Sequence, residues 1–92
     1  MSEPLSYTLL APRVNDNFQI PGAFDLELIA CKKLTPHSAV AEPFTLTFRG
    51  PAAPILPQQI YPLTHESLGN WEIFLVPIGP DKQGMLYEAI FN

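Results

Sequence analysis

Residues 70–92 read NWEIFLVPIGPDKQGMLYEAIFN. Two apolar runs, WEIFLVPI and MLYEAIF, flank GPDKQG, whose Pro80, Asp81 and Gly84 suit a type I turn followed by a left-handed glycine. The stretch predicts a β-hairpin. Pairing Gly79 with Gly84 sets Glu72, Phe74, Val76 and Ile78 on one face with Met85, Tyr87, Ala89 and Phe91. Trp71, Ile73, Leu75 and Pro77 then share the other face with Leu86, Glu88, Ile90 and Asn92. Both faces are apolar, so the hairpin either crosses the middle of a closed barrel or sandwich or offers its second face to a partner. A one-residue slip leaves the same ambiguity, and Pro77, lacking an N–H, belongs at an edge or a bulge.

Working back along the chain, the same kind of pattern recurs. FTLTFR places Phe44, Leu46 and Phe48 inward and Thr45, Thr47 and Arg49 outward, and this strand ends at Gly50-Pro51. FDLELIACKKL alternates Phe24, Leu26, Leu28 and Ala30 against Asp25, Glu27, Ile29 and Cys31, a half-buried strand. VNDNFQI is a turn-forming NDN followed by a short strand, closed by Pro21-Gly22. Between Pro51 and Leu63 four prolines make an extended cover, suited to an edge or to a loop crossing between sheets, before a short strand from Gln58 to Leu63. Thr35 to Glu42 reads as a loop, and Thr64 to Asn70 as a turn with room for one helical turn. At the start, Leu5 to Ala11 predicts a helical turn packed on a barrel end and stopped by Pro12.

These elements specify an all-β fold: one domain over residues 1–92, a small barrel or sandwich of about six mostly antiparallel strands with a short N-terminal helical turn. Eleven prolines spread through 92 residues argue against long helices. Hydrophobic residues make up 47% of the chain and charged residues only 15%, below the ~25% of an average solvated domain, so apolar surface is expected to meet another chain. The net charge of −4, with its cations scattered at Arg13, Lys32, Lys33, Arg49 and Lys82, leaves no basic stripe for nucleic acid or an acidic membrane. No window approaches a membrane span, and MSEPLSYTLL has neither the basic flank nor the apolar core of a signal peptide. With a single cysteine, this predicts a reducing, cytoplasmic location.

Candidate chemistry is sparse. His65 and Glu66 are the nearest thing to an acid/base pair, but neighbours on a strand point to opposite faces, which favours a hydrogen-bonded turn histidine. His37 lies in a polar loop, and with Cys31 it lacks any short metal-ligand spacing; Cys31 suits a small core position. Gly79 and Gly84 read as turn geometry, because no strand, glycine-rich loop and helix follow one another around them. Tyr61, Trp71 and Tyr87 are candidates to line a ligand pocket. Trp71, Ile73, Leu86, Glu88, Ile90 and Phe91 are candidates for a partner-facing patch, with Glu88 solvated, paired with Arg49 or placed at an interface. No catalytic residue, metal site or cofactor is predicted.

The strings FTLTFRGP (44–51), LPQ (56–58), Tyr61, His65, Leu68-Gly69 and above all FLVPIGP (74–80) and YEAIFN (87–92) resemble a bacterial family of about this length classed as a domain of unknown function. The resemblance is sharp from Phe44 onward and covers the first half only through the alternation around Phe18 and Leu26 to Leu28. It implies a stand-alone small protein, one whose relatives stand beside tail-fibre-like proteins with a collar domain. No catalytic or binding residues come with it. The function expected is therefore a non-enzymatic structural or protein-interaction subunit, an assembly accessory of a phage-tail-like or fibre protein, with another chain or a second copy of itself as partner. A terminal apolar strand suits strand addition across a homodimer axis. The alternative is a small-ligand-binding β-barrel.

Overall fold

A computed structural model describes residues 5–34 and 43–91. A helical turn, α1 (Tyr7–Leu10), runs into a 3-10 turn at Ala11–Arg13. Six strands follow: β1 (Asn17–Gln19), β2 (Asp25–Lys33), β3 (Phe44–Gly50), β4 (Gln59–His65), β5 (Gly69–Pro80) and β6 (Met85–Phe91). They close a barrel in the order β1-β2-β3-β6-β5-β4, every neighbouring pair antiparallel. No helix among the described residues is long and apolar enough to cross a membrane.

The interior follows from alternation. In β3, Phe44, Leu46 and Phe48 are buried while Thr45, Thr47 and Arg49 are half-exposed. Phe18, Leu26, Leu28, Leu63, Leu75 and Tyr87 complete the centre, each contributing about 1.5–3 kcal/mol by its removal from water. Phe18 meets Phe48 edge to face at 5.6 Å.

Two bulges break the alternation, and each corrects a reading made from the sequence. In β2 the register shifts between Leu28 and Ala30, so Ala30 pairs with the half-exposed Thr47 and Cys31 with the buried Leu46. Cys31, not Ala30, therefore packs against the core. In the final hairpin Pro80 pairs with Met85 and Gly79 with Leu86, but after a shift Pro77 pairs with Tyr87 and Val76 with Glu88. The extra residue, Ile78, reverses the predicted faces. Ile73 and Leu75 share the interior with Met85, Tyr87 and Ala89, while Phe74 and Val76 face outward with Leu86, Glu88 and Ile90. Pro77 sits at the bulge, where no N–H is required, and Gly79 supplies a φ of 121°.

The turn itself is built on Asp81. Its Oδ1 accepts the Gln83 and Gly84 N–H groups at 2.8 and 2.9 Å, and its Oδ2 accepts from Arg49 Nε and Nη2 at 2.9 and 2.6 Å. Arg49 pairs with Asp81 and, at 3.7 Å, with Glu27; Glu88 is one of the partners the sequence leaves open for it. Gly84 is not left-handed as expected; the glycines with positive φ are Gly22, Gly69 and Gly79. Glycine is required at position 84 because a Cβ would press into the Gly50 carbonyl oxygen on β3.

Each barrel end is covered. β3 lies between β2 and β6, and β4 between β5 and β1, so residues 51–58 must cross between them. Two core tyrosines hold this proline-rich segment down: the Tyr87 hydroxyl accepts the Leu56 N–H at 2.9 Å, and the Tyr61 hydroxyl donates to the Pro57 carbonyl. At the other end Ser6 caps α1 by accepting the Leu9 N–H at 3.1 Å, and Leu10 is buried. Tyr7 stands edge-on to Phe44 with the Lys33 ammonium 4.9 Å from its ring centre. Pro12 changes the helix type rather than stopping the coil at Ala11.

Candidate functional site

Where sequence patterning expects a turn from Thr64, β4 continues through His65, and the chain reverses over Glu66–Leu68 without a helical turn. His65 makes the reversal. Its Nδ1 accepts the N–H groups of Ser67 at 3.1 Å and Leu68 at 3.2 Å, which fixes the proton on Nε2. Nε2 donates to Asp16 Oδ2 at 2.8 Å, and Arg13 Nη1 lies 3.8 Å from the same oxygen. The ring is 7% exposed and packs 4.8 Å from the Phe18 ring.

The loop opposite is equally constrained. Asn15 adopts a φ of 83°, a conformation that asparagine tolerates better than most residues, and its N–H donates to the Leu28 carbonyl at 2.6 Å. Asp16 N–H donates to Arg13 O at 2.9 Å, and Asp16 O accepts from Leu28 N–H at 3.0 Å. Between this loop and the β4–β5 turn lies a cleft of about 460 Å³. Arg13, Asn15, Asp16, Asn17 and Gln19 line one side; His65, Glu66 and Ser67 line the other.

Both nitrogens of His65 are committed to hydrogen bonds, so the ring is placed as a tie between two walls and not as a free proton acceptor. Among the described residues no three His, Cys, Asp or Glu side chains gather as a metal set.

A domain of unknown function, DUF6916, matches residues 5–91. The chain belongs to the DUF6916 family. No curated protein and no solved structure matches it. The match spans all six strands, so the barrel, the cleft and the outer faces all lie within the DUF6916 domain.

Within the DUF6916 barrel the candidate residues separate. Tyr61 and Tyr87 belong to the packed interior, and their hydroxyls are spent on residues 57 and 56. Burial, with Tyr87 beside it, pushes the Tyr61 hydroxyl up and keeps it a donor. Trp71 is half-buried against the core, 6.5 Å from Phe18. Ile73, expected at an interface, is 2% exposed, and Phe91 stacks on Phe44 at 4.8 Å. Leu86, Glu88 and Ile90 do lie together on the outside. Burial against the core pushes the Cys31 thiol up. His37 and Asn92 lie outside the described residues.

The outer face also carries residues that sequence patterning did not select. Ile60 on β4 and Phe74 on β5 are direct cross-strand partners, 61% and 49% exposed. Ile90, 55% exposed, lies on β6 two residues beyond Glu88, the residue at which pairing with β5 ends. Exposed apolar side chains thus stand on the outside of β4, β5 and β6, with Ile78, also exposed, at the bulge beyond Val76.

Proposed function

We propose that this DUF6916 chain is a non-enzymatic protein-interaction subunit that docks through the outer face of β4, β5 and β6. The observation that carries the reading is the exposed row Ile60, Phe74 and Ile90, three large apolar side chains on neighbouring strands of one surface. Face packing is favoured here over strand addition through β6, because β6 is already paired with β3 along its length and with β5 over Met85–Glu88. Glu72 and Glu88 lie on the same outward face and supply a polar margin of the kind found around docking patches. The setting proposed is the one implied by the sequence resemblance: a bacterial cytoplasm, with the chain an assembly accessory of fibre or tail-like proteins. The partner is a second copy of the chain.

Solution mass by light scattering across a dilution series tests this, with Phe74→Glu and Ile60→Glu as variants. A dimer that dissociates in either variant, with circular dichroism unchanged, supports the outer-face dimer. A monomer at every concentration overturns it, and so does a dimer that both variants leave intact.

A further inference from the structure

The cleft beside His65 takes no part in that docking face, and its chemistry asks for a different occupant. Its volume of about 460 Å³ falls within the range of small-molecule sites, roughly 300–1,000 Å³. Its lining is the reverse of the usual apolar one. Three amides (Asn15, Asn17, Gln19), two carboxylates (Asp16, Glu66) and one guanidinium (Arg13) surround the space. A ligand there must be polar over most of its surface, because an apolar one would strip water from these groups without replacing their hydrogen bonds.

Charge narrows the class further. Arg13 is the only cation of the lining, it already pairs with Asp16, and Glu66 adds a second negative charge, so an anion is disfavoured. Calcium takes six to eight oxygens, whereas Asp16 Oδ2 is spent on His65 and Arg13. Amides and carboxylates together, with one guanidinium, match groups that donate and accept at once, and the hydroxyl is such a group. The Thr64 hydroxyl lies 3.3 Å from Gln19 Oε1 and 3.4 Å from the Gln19 carbonyl, sharing its one proton between them and holding the Gln19 side chain beside β4.

The site is also built before any ligand arrives. Through Nε2 the buried His65 ring holds the Arg13–Asn17 loop, and through Nδ1 it holds the turn bearing Glu66 and Ser67. One side chain ties both walls, so little ordering is left for binding to impose. We propose that this cleft binds a neutral polyhydroxylated ligand of the saccharide class, with the carboxylates and amide carbonyls accepting from hydroxyls, the guanidinium and amide NH₂ groups donating to them, and His65 acting as a positioning residue.

The test is an NMR titration that follows backbone and side-chain amides with glucose, galactose, mannose, N-acetylglucosamine and rhamnose in turn. Arginine and calcium chloride serve as cationic comparators. At least one sugar should give saturable shifts confined to residues 13–19 and 65–68. Asn17→Ala and Glu66→Gln, both at exposed positions, should each weaken that binding about tenfold, as should removal of one contacting hydroxyl from the sugar. His65→Asn, which keeps an acceptor for the turn but releases Asp16, should weaken it without altering the far-barrel resonances. Absence of saturable shifts with all five sugars overturns the proposal. So do shifts centred elsewhere, or a response to arginine or calcium alone.

Discussion

Replacing His65 separates the two jobs of one ring. In His65→Ala three hydrogen bonds go: two from the Ser67 and Leu68 amides and one to Asp16. Net contributions are about 0.5–1.5 kcal/mol each, with the turn amides at the low end because exposed Ser67 regains water. Loss of the contact with Phe18 at 4.8 Å adds about 0.5–1.5 kcal/mol. The sum is about 3 kcal/mol, a large share of the roughly 5–14 kcal/mol expected for a domain of 92 residues. His65→Asn places an acceptor where Nδ1 was and should recover about 1 kcal/mol of this; His65→Gln reaches towards Asp16 instead and should recover a similar amount by the other route. Urea unfolding followed by the fluorescence of Trp71, which packs near Phe18, measures all three, and a double-mutant cycle with Asp16→Ala isolates the tie across the cleft at about 1 kcal/mol. A His65→Ala cost below about 1 kcal/mol, or no coupling to Asp16, would refute the argument that this ring joins the walls.

Gly84→Ala should cost about 2–3 kcal/mol in the same assay, because its Cβ meets the backbone of β3, which cannot turn aside as a side chain would. Gly79→Ala has open space around it and should cost only the strain of its φ of 121°, about 1–2 kcal/mol; equal tolerance of both would mean that β3 and the turn are not in close contact. Hydrogen bonds from Arg49, then from the Gln83 and Gly84 amides, hold the Asp81 carboxyl below its ordinary range, so its contribution is present above that range and fades as pH falls through it. Asp81→Asn should therefore lower the urea midpoint at pH 6, with the gap to the parent protein closing from about pH 4 downward; a pH-independent gap contradicts the linkage.

What could be read along the chain was local, and what could not was phase and closure. FTLTFR is a strand on any reading, because its threonines and phenylalanines alternate and only one face can be buried. The final hairpin has no such asymmetry: both faces of WEIFLVPI are apolar, so the single extra residue at Ile78 decides which set goes inside, and its local trace is only the Pro77-Ile78-Gly79 spacing. Ile29 does the same in β2, with no proline or glycine to mark it. In NDN the turn was legible but its second role was not. Asp16 meets His65 across 49 positions because β1 closes the barrel against β4, at a single paired position, Gln19 with Thr64.

Closure also bears on where the apolar excess can lie. In an open sheet, apolar excess can be satisfied at an edge, by pairing strands with another chain. Here every described strand has two neighbours, although β1 and β4 meet at the single position Gln19 with Thr64, and the interior is already filled. Of the exposed large apolar side chains, Ile60, Phe74, Ile78 and Ile90 stand on strands, and Leu34 and Ile55 lie outside them. Ile60, Phe74 and Ile90 stand on the outside of β4, β5 and β6, while the polar cleft occupies the end of the barrel where His65 joins β4 to the first loop. The two surfaces share no lining residue, which makes them separable by substitution: Phe74→Glu should leave the cleft resonances in place, and Asn17→Ala should leave the solution mass unchanged.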